Sequence, residues 1–67
     1  MKSKLKLLML KARNPIYENK MSQYAFNINE IETIRFHGEI AYIMMKSGRE
    51  REAELTVEEF IKIIEEI

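Results

Sequence analysis

Few side chains in this sequence could carry out chemistry. Among its 67 residues there is no cysteine, all 11 acidic residues are glutamate, and His37 is the one histidine. A Ser-His-Asp triad or a Cys-His pair therefore cannot be assembled. Two glutamates would have to converge in a water-excluding cleft, for which so short a chain has little material. We predict a protein that is not an enzyme and that uses no cofactor.

His37 and a row of glutamates are the remaining candidates for a chemical site, and both have simpler structural explanations. His37 can titrate near neutral pH, but it directly precedes Gly38 and suits a tight turn. Glu50, Glu52 and Glu54 alternate along one predicted strand and so form a row on one face. A hard cation needs about six or more oxygens that converge from several directions, which a row does not provide. We therefore predict no metal site.

Basic residues are concentrated at the N-terminal end of the sequence. Residues 1–24 contain six basic side chains against Glu18 alone, whereas residues 25–67 contain five basic side chains against ten glutamates. Such lysines and arginines can follow a phosphate backbone while nearby tyrosines stack on bases. The net charge of zero and the acidic second half oppose this function. Nucleic-acid binding is therefore our alternative hypothesis, with contacts from Lys4, Lys6, Lys11 and Arg13.

Hydrophobic periodicity predicts the elements that would position these side chains. Apolar and polar residues alternate between residues 23 and 55, Gly38 and Gly48 mark turns, and a period of 3.6 follows from Thr56. The predicted fold is α+β, a small antiparallel β-meander of roughly three to five strands with one C-terminal amphipathic helix packed on one face. We expect a single domain (1–67), composed of a basic N-terminal strand or helix with a loop (1–22), the meander (23–55) and the helix (56–67).

The segment 2–13 is open to two interpretations. Its first half alternates as a strand would, whereas one helix face would collect Leu5, Leu8, Met9 and Ala12. Lys, Leu, Met and Ala favour a helix by propensity, but a further strand would extend the meander. We favour the strand. Either element would end before the turn signal Asn14-Pro15.

Alternation within the meander predicts which strand positions share a face. Ile34 and Phe36 are predicted to lie on one face of a strand, opposite Ile31. The segment 49–55 alternates Arg and Glu, and such charges protect an exposed edge from unwanted pairing. We therefore predict that this segment is an edge strand.

The C-terminal helix has the clearest signals. Thr56 and Glu59 have the spacing of a capping box, in which each side chain bonds the backbone amide of the other residue. Apolar residues then form one broad stripe, while the glutamates and Lys62 face water. The predicted core combines this stripe with inward-facing strand positions: Ile34, Phe36, Ile43, Leu55, Val57, Phe60, Ile61 and Ile64.

The strand 40–45 is apolar on both faces, which is more than one short helix can cover. If the helix covers Ile43, then the opposite side chains Ile40, Tyr42 and Met44 must be covered by the segment 2–13, by a second subunit or by a different protein, and we favour a partner over the segment. An uncovered patch of this kind is an aggregation hazard, and a domain of this size is marginal unless stapled or oligomeric. Ile40, Tyr42 and Met44 are therefore our predicted dimer or partner interface.

These observations predict a small non-enzymatic protein-interaction module. We expect a homodimer that acts as a regulator, accessory or inhibitor protein by occupying a surface on another macromolecule. Small size and composition also fit a phage-encoded or mobile-element-encoded protein. The lack of cysteine suits a reducing compartment, and no stretch approaches the roughly 20 apolar residues that cross a bilayer. We therefore expect a cytoplasmic location, in the host cell if the protein is phage-encoded, and no membrane partner.

The run EIETIRFHGEIAYIMMKSGREREAELTVEEFIKII (30–64) resembles two kinds of small domain. It is similar to the strand-hairpin-helix core of LytTR-type DNA-binding domains. It is also similar to small flagellar-operon proteins of the FlbD type, which have a strand, a second hairpin and a terminal acidic helix. Both resemblances rest on alternation and turn glycines. Neither assigns a functional residue to this sequence.

Overall fold

The computed structural model describes residues 6–66, which form a five-stranded antiparallel sheet and one C-terminal helix. The predicted α+β fold is therefore confirmed. The elements are β1 (Leu7–Arg13), β2 (Ser22–Asn27), β3 (Ile31–His37), β4 (Ile40–Met45), β5 (Glu50–Glu54) and α1 (Val57–Glu66), with a 3-10 turn at Ile28–Glu30. The strand interpretation of the N-terminal segment is confirmed for residues 7–13. Residues 2–5 of that segment and Ile67 of the predicted helix lie outside the described residues.

The strand order is β2-β1-β5-β4-β3, so β5 lies in the middle of the sheet. The prediction that this segment is an edge strand is wrong. The N-terminal strand β1 pairs with the side of β5 that β4 does not occupy, and this pairing places Ala12 opposite Ala53 and Arg13 opposite Glu52. Arg13 supplies a counterion to the partly buried Glu52, since its guanidinium lies 2.9 Å from the Glu52 carboxylate. A strand in which Arg and Glu alternate can therefore lie in the middle of a sheet when a neighbouring strand supplies a side chain of opposite charge.

Both predicted glycine turns are present, and both use a positive φ. Gly38 has a φ of 65° and is the first of two residues that connect β3 to β4, the position that type II′ hairpin turns give to glycine. Gly48 has a φ of 95° and ends the turn between β4 and β5, where its amide donates to the Met45 carbonyl at 2.8 Å. These two residues fix the register of the β3-β4-β5 meander.

A β-bulge at the start of β3 changes the predicted alternation. Ile31 pairs with Met45 but Thr33 pairs with Met44, so Glu32 is an extra residue on β3. The extra residue shifts the alternation by one position, and Ile31 packs against the core together with Ile34. The prediction that Ile31 lies opposite Ile34 is therefore wrong.

The core lies on one face of a curled sheet. Its buried residues come from β1, β2, β4, β5 and the residue after β5: Leu8, Leu10, Ala12, Phe26, Ala41, Ile43, Ala53 and Leu55. Phe26 of β2 and Met45 of β4 line one cavity of about 280 Å³, although β1 and β5 separate these strands in the sheet. The two ends of the sheet therefore curl towards each other around the core.

Three alanines cross the centre of this core. Ala12, Ala53 and Ala41 are direct neighbours on β1, β5 and β4, and each is 0% exposed. Because the alanine side chains are small, the larger core residues on either side of this row have room to pack over it. The row of alanines thus lies where the sheet is most enclosed.

The helix begins with the predicted capping box. The Thr56 amide donates to Glu59 Oε1 at 2.9 Å, and the Glu59 amide donates to Thr56 Oγ1 at 3.1 Å. Two N-terminal amides of α1 are satisfied in this way without tertiary contacts. This explains why the start of the helix could be predicted from four adjacent residues.

The predicted core residues separate into two groups. Ile43 and Leu55 are buried at 0% and 2% exposure, and Ile34, Phe36 and Phe60 are half-buried against the core. The prediction is wrong for the remaining helix residues, which are 43%, 51% and 42% exposed: Val57, Ile61 and Ile64. The reason is the width of the apolar arc on α1, which spans about 160° at 100° per residue. A helix docked by one edge of this arc leaves the other edge in water.

Candidate interaction surface

One side of α1 presents aliphatic side chains to solvent. Val57, Ile61 and Ile64 are four and three residues apart, so they form a continuous ridge along the helix, here called the α1 stripe. The sheet is contacted instead by Phe60 and Ile63, which pack against the core. The Phe60 ring lies 5.6 Å from the Phe36 ring, centroid to centroid. No residue of α1 is fully buried, so the helix is held to the sheet by a narrow contact.

Glutamates border the α1 stripe on its solvent side. At 100° per residue, Glu58 and Glu65 lie next to Ile61, on the side directed away from the sheet. Both are exposed. The helix as a whole carries four glutamates and Lys62. The stripe is therefore an apolar surface with an acidic border.

A second exposed apolar surface lies on the outer face of β1 and β2, the face opposite the core. Leu7 and Met9 are 46% and 54% exposed, and their cross-strand neighbours are Asn27 and Ala25. Lys11 continues the same face of β1 and is also exposed. Neither strand contains an acidic residue. This surface, here called the β1-β2 face, is apolar at its centre and has a basic border.

The predicted interface residues Ile40, Tyr42 and Met44 also lie on the outer face of the sheet, on β4. They are half-buried in the single chain. The Arg35 guanidinium lies 5.1 Å from the centroid of the Tyr42 ring, and Glu52 of β5 is the cross-strand neighbour of Tyr42. Charged neighbours therefore cover part of this surface. An interface at these three residues stays a prediction.

Of the predicted nucleic-acid contacts, the structure describes Lys6, Lys11 and Arg13. Lys6 and Lys11 are exposed, whereas Arg13 donates from Nε and Nη2 to Glu52 Oε1, at 3.1 and 2.9 Å. Arg13 also donates to the Asn19 carbonyl at 3.2 Å. Its guanidinium is thus committed to contacts within the chain. Lys4 lies outside the described residues.

Tyr24, which the nucleic-acid hypothesis would use for stacking, also has a partner within the chain. Its hydroxyl donates to Glu18 Oε1, and the Asn14 amide donates to the same oxygen at 2.6 Å. The hydrogen bond from Tyr24, and then the one from Asn14, lower the pKa of Glu18 below its ordinary value. The same bond to Glu18 raises the pKa of Tyr24. These contacts tie the loop between β1 and β2 to the sheet.

A large open cavity lies between β1, the end of β5 and α1. It has a volume of about 630 Å³ and an apolar floor formed by Leu10, Leu55 and Ile63. Lysine and glutamate side chains share its rim: Lys11, Lys62, Glu54, Glu59 and Glu66. Within residues 6–66, no three histidine or glutamate side chains are grouped as a metal site would require.

Three comparisons with known proteins concern the chain as a whole. No family model matches this sequence, and no curated protein or solved structure matches it either. Neither the LytTR-type nor the FlbD-type resemblance therefore gains support. Among residues 6–66 there is no helix of the length and apolarity that crossing a bilayer requires.

The sequence pattern predicts a solvent-facing apolar surface on β4, and it predicts neither the α1 stripe nor the β1-β2 face. A signal for the stripe was present in the sequence. The apolar positions from Val57 to Ile64 cover an arc of about 160°, wider than one sheet contact can bury. For the β1-β2 face there was no such signal, because the exposure of Leu7 and Met9 depends on which side of β1 the core occupies.

Proposed function

We propose that this protein is a small non-enzymatic interaction module that works as a homodimer, with the α1 stripe at the contact between the two copies. The observation that carries this proposal is the exposure of three aliphatic side chains in helical register. Contiguous apolar surface that is exposed to water often marks an interaction site. As a non-enzymatic module, the dimer would act by occupying a surface on another macromolecule, as a regulator, accessory or inhibitor protein does.

The size of the stripe supports a contact of moderate strength. Complete burial of one large aliphatic side chain is worth about 1.5–3 kcal/mol, so burying three that are about half exposed contributes about 2–4 kcal/mol per copy. Association itself costs at least about 4 kcal/mol in lost translational and rotational freedom. A stable dimer therefore needs the stripes of both copies and further apolar surface beneath each stripe.

The α1 stripe is a better candidate than the β4 surface predicted from the sequence. Ile40, Tyr42 and Met44 are half-buried, whereas each residue of the stripe is more than 40% exposed. A partner on β4 would also have to remove water from Glu52 and from the Arg35 guanidinium that covers Tyr42. Desolvating such charges opposes binding unless each finds a new partner.

Sedimentation velocity of the purified chain tests the proposal. We expect a dimer at about 100 μM, and monomer for Ile61→Glu, because a charge at the centre of the stripe would be buried without a partner. Ile16→Glu is the matched control: Ile16 is 79% exposed in the loop between β1 and β2, so the same substitution there should leave the dimer intact. Circular dichroism establishes that each variant is folded, and Ile64→Ser serves as a second stripe variant.

Two results would overturn this proposal. The first is a wild-type chain that stays monomeric at the highest concentration at which it is soluble. The second is a dimer that survives Ile61→Glu and Ile64→Ser but is lost in Tyr42→Glu, which would place the contact on β4 instead.

A further inference from the structure

The homodimer proposed above leaves open which surface of the second copy receives the α1 stripe. We infer that it is the β1-β2 face, so that the acidic, apolar helix of one copy lies on the basic, apolar outer face of β1 and β2 of the other. This inference rests on the proposed function and adds the identity of the receiving surface.

Charge is the first argument for this pairing. The α1 stripe is bordered by Glu58 and Glu65, whereas β1 and β2 contain no acidic residue and present Lys11 on the outer face. Direct pairing of the two stripes about a two-fold axis would place Glu58 and Glu65 of both copies side by side. Like charges in contact oppose association, and opposite charges favour it and orient the partners. Helix-on-sheet pairing therefore suits the charges, and helix-on-helix pairing does not.

Shape and apolar surface supply the second argument. Within residues 6–66, Leu7 and Met9 are the other large hydrophobic side chains of the regular elements that are about half exposed. Met9 is the cross-strand neighbour of Ala25, whose side chain is small. The stripe from Val57 to Ile64 is about 10 Å long at 1.5 Å per residue, a length that a strand pair can accommodate. The unbranched methionine can adjust its shape to the helix ridge.

The proposed contact joins two different surfaces, and every copy carries both of them. A closed two-fold dimer would therefore make the same contact twice, once in each direction. This arrangement also supplies the apolar surface that each stripe needs beneath it. Each copy contributes Leu7 and Met9 to one contact and its stripe to the other.

A mixing experiment tests this inference. Ile61→Glu disables the stripe and Met9→Lys disables the β1-β2 face, so each variant alone should be monomeric. An equimolar mixture keeps one contact intact and places the two introduced, opposite charges in the other contact, so it should form a 1:1 complex by sedimentation velocity. Leu7→Lys replaces Met9→Lys if that variant does not fold. A mixture that stays monomeric while the wild type dimerises would overturn the inference and leave the homodimer standing.

Charge reversal provides an independent readout. Lys11→Glu should weaken the dimer by about tenfold in Kd, and adding Glu65→Lys to the same chain should restore most of the loss. Lys20→Glu is the matched control, because Lys20 is an exposed lysine in the loop outside the proposed contact. Raising the salt concentration should weaken the wild-type dimer. Stronger association at high salt, or an unchanged Kd in Lys11→Glu, would show that the stripe does not lie on the β1-β2 face.

A wild-type chain that never dimerises has a different meaning from these outcomes. It would remove the proposed function itself, and with it the receiving surface. Loss of the dimer in Ile61→Glu together with an intact dimer in Met9→Lys would contradict only the β1-β2 face.

Discussion

The alanine at the centre of the sheet offers the sharpest test of the packing. Ala53 is 0% exposed and lies between Ala12 and Ala41, which are also 0% exposed. Replacing it by leucine adds three carbon atoms at a position that is enclosed by other buried side chains. Inserting methylene groups into a packed core typically costs about 1–3 kcal/mol, and the enclosed position places Ala53→Leu at about 3 kcal/mol.

This loss is large for so small a domain. At about 0.05–0.15 kcal/mol per residue, a chain of this length has roughly 3–10 kcal/mol of stability in total. For domains of 60–100 residues each kcal/mol shifts the melting temperature by about 4–8 °C, so Ala53→Leu should melt about 12–24 °C lower. Urea unfolding followed by far-ultraviolet circular dichroism measures the free energy, and thermal melting checks it. Both are measured at a concentration at which the chain is monomeric.

Ala25→Leu is the matched control for this substitution. Ala25 is an exposed alanine on the outer face of β2, so the same added volume should change the free energy of unfolding by no more than about 0.5 kcal/mol. Equal costs for Ala53→Leu and Ala25→Leu would refute the assignment of the core to one face of the sheet. A free energy for Ala53→Leu within about 0.5 kcal/mol of wild type would refute the tight packing of the alanine row.

Three further predictions concern single side chains. Thr56→Ala removes half of the capping box and should lower the free energy of unfolding by about 1 kcal/mol in urea titrations; no loss would mean that the cap does not hold the helix start. Tyr24→Phe removes the main cause of the low Glu18 pKa, so nuclear magnetic resonance should find the Glu18 pKa higher in the variant. Because the folded pKa is lowered, this bond stabilises the fold above the unfolded pKa of Glu18. The effect is lost as the pH falls through the folded value, so the variant should differ from wild type near neutrality and converge with it in acid. Tyr42→Glu places a carboxylate beside Glu52 and removes the ring under Arg35, so the free energy of unfolding should fall by about 1 kcal/mol. The mass of the dimer should be unchanged in sedimentation velocity. A monomeric variant would favour the β4 interface.

Predictions that depended on adjacent residues agree with the structure. The capping box at Thr56 and the turns at Gly38 and Gly48 are local, because their hydrogen bonds join residues within four positions of one another. The strand positions Ile43 and Leu55 are buried, as their place in the alternation predicts. Local geometry of this kind is specified by the residue types themselves.

Predictions that depended on distant residues were less successful. The segment β5 looks like an edge strand until Arg13 is placed beside Glu52, 39 residues away. The alternation in β3 is interrupted at Glu32 by a bulge that turns Ile31 towards the core. Neither feature leaves a mark in the adjacent sequence, because a strand's neighbours in a sheet are set by the path of the whole chain.

The sequence by itself determined the α+β class, the helix start, the two glycine turns and the apolar character of α1, since each follows from nearby residues. Tertiary structure alone decided which apolar residues are covered. Docking of α1 through Phe60 and Ile63 uses one edge of a wide apolar arc and leaves Val57, Ile61 and Ile64 in water. The same pattern of hydrophobic residues would bury the whole arc if the helix met two surfaces. The number of surfaces that a helix meets is a property of the folded chain, and for this protein it sets which apolar side chains of α1 stay in water.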